Sequence, residues 1–588
     1  MAALFTTPKR NDKTSGAHFV EPDVRRRTLL AHGSWRRVTR RIVCGLACAL
    51  TVSSLLMPSV SLAAEWVDVG GTQYNTAAGD EAGTWAWDGA DDMKLNGYNG
   101  GAIEAEGKLN VNYSGNNTVT NDDGRGIMVT DGANENAELN IKGDASSTLN
   151  VTSSRDAITS VGNISIDGAG TVNATSTEHD AIDAGDDVTI KGSGNVNATG
   201  DSDGIRADGN ITIDNSGTVT AKATEDQGID ANENLIIKGG GKVEASSIKD
   251  NAIWADGNIE ISGGSQVKAS SEEDAAIDGK NSLTVTNASL NASGVGYGIY
   301  VYKGITLDGA TVTVRASSDG GEVSALFTDE DDIVIKNGST VDALAEGRFS
   351  VAISTSNFYS DEAGGHIYIS DSVVKAIARY AETGGDGPDH YSNDQSGGVI
   401  PEHRGVNIGI FARTKEGITP ATISIVRSKV TAEGDTAAIF ALAVSADGEA
   451  IGTIEIEGAP IQTPTGGKII GYRNKEELDD GIFYVVGQTI GTGDAVIDSP
   501  YNEAVAKSTV IAPPEEIKPE EKPGETKPDG SKSEGTKTTK TVAVATTGTK
   551  TTGKLAATGD ASSAAIVAAA LAGTAAIAAS AVVSRKRS

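Results

Sequence analysis

Cysteine is almost missing from this chain. Its 588 residues include two, Cys44 and Cys48, and both fall in an N-terminal stretch with the pattern of a removable export signal. A processed chain would have none, which excludes disulfides, thiolate metal sites and a cysteine nucleophile. Aromatic residues make up only 4% of the chain, and histidines number six. That is too little bulky apolar side chain for several ordinary globular cores. A thin repeat architecture, with a core one β-branched residue deep, fits better. Basic residues are scarce too: 49 Lys and Arg stand against 80 Asp and Glu, a net charge of −31. The first 64 residues hold ten of those bases and three of the acids, so the processed chain stands at −38. Such a surface repels nucleic acid and anionic lipid, making both poor partners, and suits divalent cations. Glycine, by contrast, is plentiful, at 72 residues.

The two ends predict an address. Arg36, Arg37, Arg40 and Arg41 precede the apolar run Ile42–Leu62, which closes on Ser61-Leu62-Ala63-Ala64. Basic, apolar and small-residue regions in that order predict a signal peptide over 1–64, cleaved near Ala63 and Ala64. At the other end Leu555, Ala556, Ala557, Thr558 and Gly559 are followed by an apolar run of 23 residues, 561–583, and by Arg585, Lys586 and Arg587. The run is long enough to cross a bilayer, and the basic tail would stay in the cytoplasm. The arrangement resembles the sorting signal of Gram-positive sortase substrates. That resemblance implies cleavage between Thr558 and Gly559 and transfer of Thr558 to peptidoglycan, with the membrane involved only before sorting. Ala556 departs from the common motif, which has Pro there; the Leu-Ala-x-Thr-Gly form looks like that of actinobacterial substrates. Residues 501–554, rich in Pro, Lys, Glu and Thr, cannot bury a core and predict an extended, disordered wall-spanning linker.

Between the ends the chain repeats. Ile158, Ile182, Ile205, Ile229, Ile253 and Ile277 recur at spacings of 24, 23, 24, 24 and 24. The register extends outward to Ile103, Ile127 and Ile299, and loosens to Leu326, Ile353, Ile410 and Ile439. Two further alternating pairs accompany each isoleucine, such as Ile164/Ile166 and Val172/Ala174, echoed by Val188/Ile190 and Val196/Ala198. Three short strands of period 2, broken by Asp, Gly and Asn turns, make one triangular coil. No coil buries its inward residues alone, so coils must stack about 4.8 Å apart. The fold expected is all-β: one long parallel β-helix over 101–500, on the order of 60 Å at that spacing. Residues 65–100, with Trp66, Trp85 and Trp87, are expected to cap its open end, and 380–404 form an insertion loop carrying His390, Tyr391 and His403.

Inward positions build the fold, which leaves outward columns for function. The residue after each inward isoleucine forms one such column. Its second half holds Trp254, Asp278, Tyr300, Phe327, Phe411 and Phe440, and aromatic rows with nearby carboxylates suit stacking against sugar rings. The same rings could instead pack on one another or under the insertions. Acids precede the same strand at Asp156, Asp180, Asp203, Asp226, Asp250 and Asp274. Carboxylates stacked a coil apart repel, and calcium would relieve that; Asp is equally a good turn residue. Catalysis has little support: Arg206 between Asp183 and Asp230 is the best candidate trio, and no phosphate loop, triad or zinc spacing is present.

The phrasing Asp-Gly-Asn-Ile-Thr-Ile, Gly-x-Val-x-Ala and Asp-Gly-Ile within 203–221 resembles a family of bacterial surface β-helices with a carbohydrate-binding, pectate-lyase-like domain. The resemblance covers about 101–460. It implies polysaccharide or host-glycan binding without cleavage, with calcium commonly associated and no cofactor required. The chain is thus expected to be a secreted, wall-anchored, non-enzymatic adhesin. A structural stalk or protein-binding adhesin is the alternative, and a polysaccharide lyase a more distant one.

Overall fold

The structure, a computed structural model, describes residues 64–514 apart from 132–136, 319–321, 358–363, 382–405, 415–418, 446, 479–480 and 494–495. The signal segment up to Ala63, the linker beyond residue 514, the motif Leu555–Gly559, the span 561–583 and all but the first two residues of the 380–404 insertion lie outside those residues. The described residues are all-β, with no helix among them.

Each repeat folds as its alternation requires. In one coil the strands are Ile158–Ser160, Asn163–Gly168 and Thr171–Ser176. Ile158, Ile164, Ile166, Val172 and Ala174 point inward and are at most 5% exposed, while Ser165 and Asn173 between them face outward and are half-buried. Every strand then pairs in parallel with its copy one coil on: Ile158 with Ile182, Ile164 with Val188, Val172 with Val196. Three long sheets result. In the first, Ile103, Ile127, Ile158, Ile182, Ile205, Ile229, Ile253, Ile277, Ile299, Leu326, Ile353, Ile410 and Ile439 keep one register. All of them are fully buried. The register survives even between Ile353 and Ile410, because the extra residues leave the coil at its turns instead of shifting the strand. The second and third sheets have 16 and 15 strands, parallel except at their ends.

Two corners show why the turns repeat. After the first sheet, a side-chain oxygen in each coil accepts the backbone N–H of the next: Asn163 from Asp187 at 3.1 Å, Asp187 from Asn210 at 2.7 Å, Asn210 from Asn234 at 3.1 Å and Asn234 from Asn258 at 2.9 Å. Otherwise those turn amides would be unpaired. At the corner between the second and third sheets, Gly168 and Gly192 have φ of 119° and 104°. A Cβ on Gly192 would lie 2.4 Å from the Gly168 carbonyl oxygen, so the corner admits no side chain.

Antiparallel segments cover the first sheet at both ends, the second at its start and the third at its finish, which leaves fewer parallel edges that could recruit another chain. Val67–Val69 runs antiparallel to Ile103–Glu106, and Trp85–Trp87 to Asp92–Asn96, with Trp85 and Trp87 buried. At the far end the hairpin Lys468–Leu478/Gly481–Gly491 lies antiparallel along Ala437–Ser445. The solenoid does not stop at residue 500 as expected. Ser508–Ile511 pairs with Lys429–Gly434 and buries Ile511 completely, because the last coil needs a strand to cover its third sheet.

The inward ladder makes its own test. Ile229→Ala should cost about 2–5 kcal/mol, the range for a truncated core isoleucine, whereas Thr212→Ala on an outward position should change stability by less than about 0.5 kcal/mol. Denaturant unfolding followed by far-ultraviolet circular dichroism distinguishes the two.

Candidate functional site

Strand pairing turns the outward positions of the first sheet into columns of near neighbours. Asp183, Arg206, Asp230, Trp254, Asp278, Tyr300 and Phe327 follow one another on successive coils. Arg206 donates to Asp183 at 3.0 Å and to Asp208 at 2.6 Å, and its Nε lies 3.7 Å from Asp230. Burial alone would lower its pKa, but Asp183, Asp208 and Asp230 outweigh that and hold the guanidinium protonated, above its ordinary range. The trio expected from the sequence therefore assembles, but as an ion-pair knot. A guanidinium clamped by three carboxylates cannot serve as a base.

Farther along the column the rings meet. Tyr300 and Phe327 stack with centroids 5.5 Å apart and planes 16° apart, and Tyr297 leans on both at 5.2 and 5.6 Å. Tyr297 was not in the expected column. It enters because its strand begins two residues before Ile299, an offset visible in the sequence only once the strand's start is known. Tyr300 donates its hydroxyl to Asp329 at 3.2 Å. Trp254 is half-buried and donates Nε1–H to Asp256 at 3.1 Å. The Lys280 ammonium lies 5.1 Å over its ring and 2.6 Å from Asp256.

Two members of the expected aromatic face stand apart. Phe440 is fully buried, and Phe411 is half-buried beside it, 6.5 Å away between centroids. The C-terminal hairpin covers the outside of the sheet here and sets Tyr472 edge-on against Phe440 at 5.1 Å. Val406, Ile408, Leu442, Ile470 and Val485 complete a second apolar core outside the coils. Phe440 is thus a packing residue, withdrawn from any ligand because the last coils need a cover. The exposed face ends at Phe327.

The six turn aspartates form two columns, not the single one expected. Asp156, Asp180 and Asp203 stand two residues before the inward isoleucine, while Asp226, Asp250 and Asp274 stand three before it. Several accept turn amides. Asp180 takes the Asp203 N–H at 2.9 Å, Asp203 takes that of Gln227 at 2.8 Å, Asp250 that of Asn251 at 2.7 Å and Asp274 that of Ala275 at 2.7 Å. Asp156 pairs with Arg125 at 2.7 Å. Solvent does not screen the first column, since Asp156 and Asp203 are 5% and 2% exposed. Asp156, Asp180 and Asp183 each offer an oxygen within 4.8 Å of the others, close enough to share one hard cation such as calcium. Burial first, and then Asp183 beside it, push Asp180 up to about 7. Burial and the neighbouring Asp180, Asp230 and Asp226 hold Asp203 well above the carboxylate range. Burial, with Asp274 and Asp250, raises Asp278 to about 8.

At the base of the 380–404 insertion, Arg379, Tyr380, Glu433, Asp435 and Lys507 line a shallow hollow of about 400 Å³. No protein-family model, characterised protein or solved structure matches the chain.

The raised carboxyls set a pH dependence. Folded Asp180, Asp203 and Asp278 keep protons that the unfolded chain has released above about pH 4. Their contribution is therefore complete below that pH and is lost as pH rises through about 7 to 8. The melting temperature should fall between pH 5.5 and 8.5. Asp180→Asn, which keeps the acceptor for the Asp203 amide, should flatten that slope. A wild-type melting temperature that rises over this interval would contradict the assignment.

Proposed function

We propose that this chain is a secreted, cell-wall-anchored surface protein that binds a polysaccharide without cleaving it, on the first-sheet face from Trp254 to Phe327. The observation that carries the reading is the run of half-buried Trp254, Asp278, Tyr300 and Phe327 on four successive coils. Their step is one strand spacing, about 4.8 Å, close to the length of one pyranose unit. Three rings, a carboxyl and a phenol hydroxyl share it, which suits sugar rings and their hydroxyls. Clamping of Arg206 by three carboxylates weighs against a lyase. The acidic surface weighs against nucleic acid, and the Asp156/Asp180/Asp183 oxygens could take calcium as a structural aid rather than a reactant. Export and anchoring rest on Ala63–Ala64 and on Leu555–Gly559, read as a sortase substrate joined to peptidoglycan.

One observation favours a second reading, a structural stalk. Tyr300 and Phe327 each give a ring face to the other, which stiffens the sheet and leaves less face for a sugar. A glycan array probed with residues 65–514 separates the readings. Binding that drops at least tenfold in a Trp254→Ala/Tyr300→Ala/Phe327→Ala variant, an approximate loss for two or three ring contacts, supports the binding face. Binding that survives the triple variant, or is absent in the parent, leaves the stalk. Anchoring has a separate test: Thr558→Ala should move the chain from the peptidoglycan-linked fraction to the membrane or medium.

A further inference from the structure

The acidic stretch of the same face already shows how it treats a positive charge. The Lys280 ammonium sits 5.1 Å over the Trp254 ring and 2.6 Å from Asp256. That of Lys303 sits 6.0 Å over Tyr302 and 2.6 Å from Glu330. Each is a ring and a carboxylate holding one ammonium between them. A third set lies between these two: Tyr300, with Asp329 accepting from its hydroxyl at 3.2 Å and Asp278 paired with it from the preceding coil. Phe327 stacks against Tyr300 from the coil on the other side and steadies the ring. Among the described residues neither Asp278 nor Asp329 forms an ion pair, and Lys280, the nearby cation, is committed to Asp256.

We propose that Asp278, Tyr300 and Asp329 form a receptor for an ammonium group, so that the polysaccharide bound here is an amino-sugar polymer with free amines. The inference rests on the polysaccharide reading above. It adds that charge, not ring stacking alone, selects the ligand. An ammonium between a ring face and two carboxyls gains cation–π and charge-assisted hydrogen bonds together. Asp274 and Asp250 stand beside Asp278, and with burial they raise it to about 8, while burial raises Asp329 to about 6. Both carboxyls therefore gain from a cation brought beside them. Uronic-acid and sulfated polymers meet the same carboxyls as repulsion, and neutral sugars offer them hydroxyl hydrogen bonds without the charge.

The test is calorimetry on the full chain at pH 7. The probes are a glucosamine tetramer with free amines, its fully N-acetylated form and a neutral glucose tetramer. The free-amine tetramer should bind at least tenfold tighter than the others, roughly the gain from one desolvated cation–π contact with its carboxylates. Asp278→Asn should remove the preference. Asp329→Asn should weaken the preference independently, so the result does not hang on the folding of one variant. Glu260→Gln, exposed on the second sheet, should change nothing. Equal binding of all three tetramers overturns the amine assignment and leaves the polysaccharide face standing. Binding of none overturns both. An equal loss in Glu260→Gln and Asp278→Asn shows only the general attraction of an acidic rod for a cation, and overturns the receptor.

Discussion

Each coil of this protein is too thin to have an interior of its own. Ile229 has apolar neighbours only because Ile205 and Ile253 lie directly before and after it at one strand spacing. The stacking of inward side chains in register is thus the constraint from which the other features follow. It requires a branched or small apolar residue at each inward position. It also requires that the backbone return to the same point after every coil, whatever is inserted between. The long excursions near Ile353 and Ile410 are tolerated because they leave at turns, where loop entropy grows slowly with length. A one-residue slip within a strand would instead send a whole inward set to the surface.

Register has a second effect, on polar groups, because like falls on like. Asparagine suits this, since its amide both donates and accepts. Asn173 donates to Asn150 and Asn197 to Asn173, each at 2.8 Å. Aspartate does not, since stacked carboxylates repel and have nothing to donate when ionised. The chain manages its acid columns with backbone amides, with Arg125 and Arg206, and with protons kept on the most buried carboxyls. Acidity in this protein is therefore of two kinds. Some charge lies exposed on the outward faces, while charge folded into the turns couples stability to pH.

The ends obey a different rule from the middle. A stacked coil leaves an open apolar cross-section and unpaired strand edges, and neither can be closed by another repeat. The chain covers most of them with irregular antiparallel segments, whose positions no period marks. Phe440 continued the aromatic column in sequence but is covered by Tyr472 and its hairpin. The composition of 501–554 predicts a linker, but Ser508–Ile511 within it completes the third sheet. Neither contact has a period, so neither leaves a signal in the repeat.

The sequence by itself determined the all-β repeat, the identity of the inward residue in every first-sheet coil from Ile103 to Ile439, and which residues share the column from Asp183 to Phe327. Period-2 alternation and a 24-residue repeat encode those locally, and parallel stacking copies them without choice. Tertiary structure alone decided which members of a column face solvent and which are covered, as Phe327 and Phe440 show. It also brought Tyr297 against Tyr300 and set the Tyr300 hydroxyl on Asp329. These depend on where a strand starts and what lies across it. A one-residue offset there redirects a side chain without disturbing the apolar period that made the fold legible.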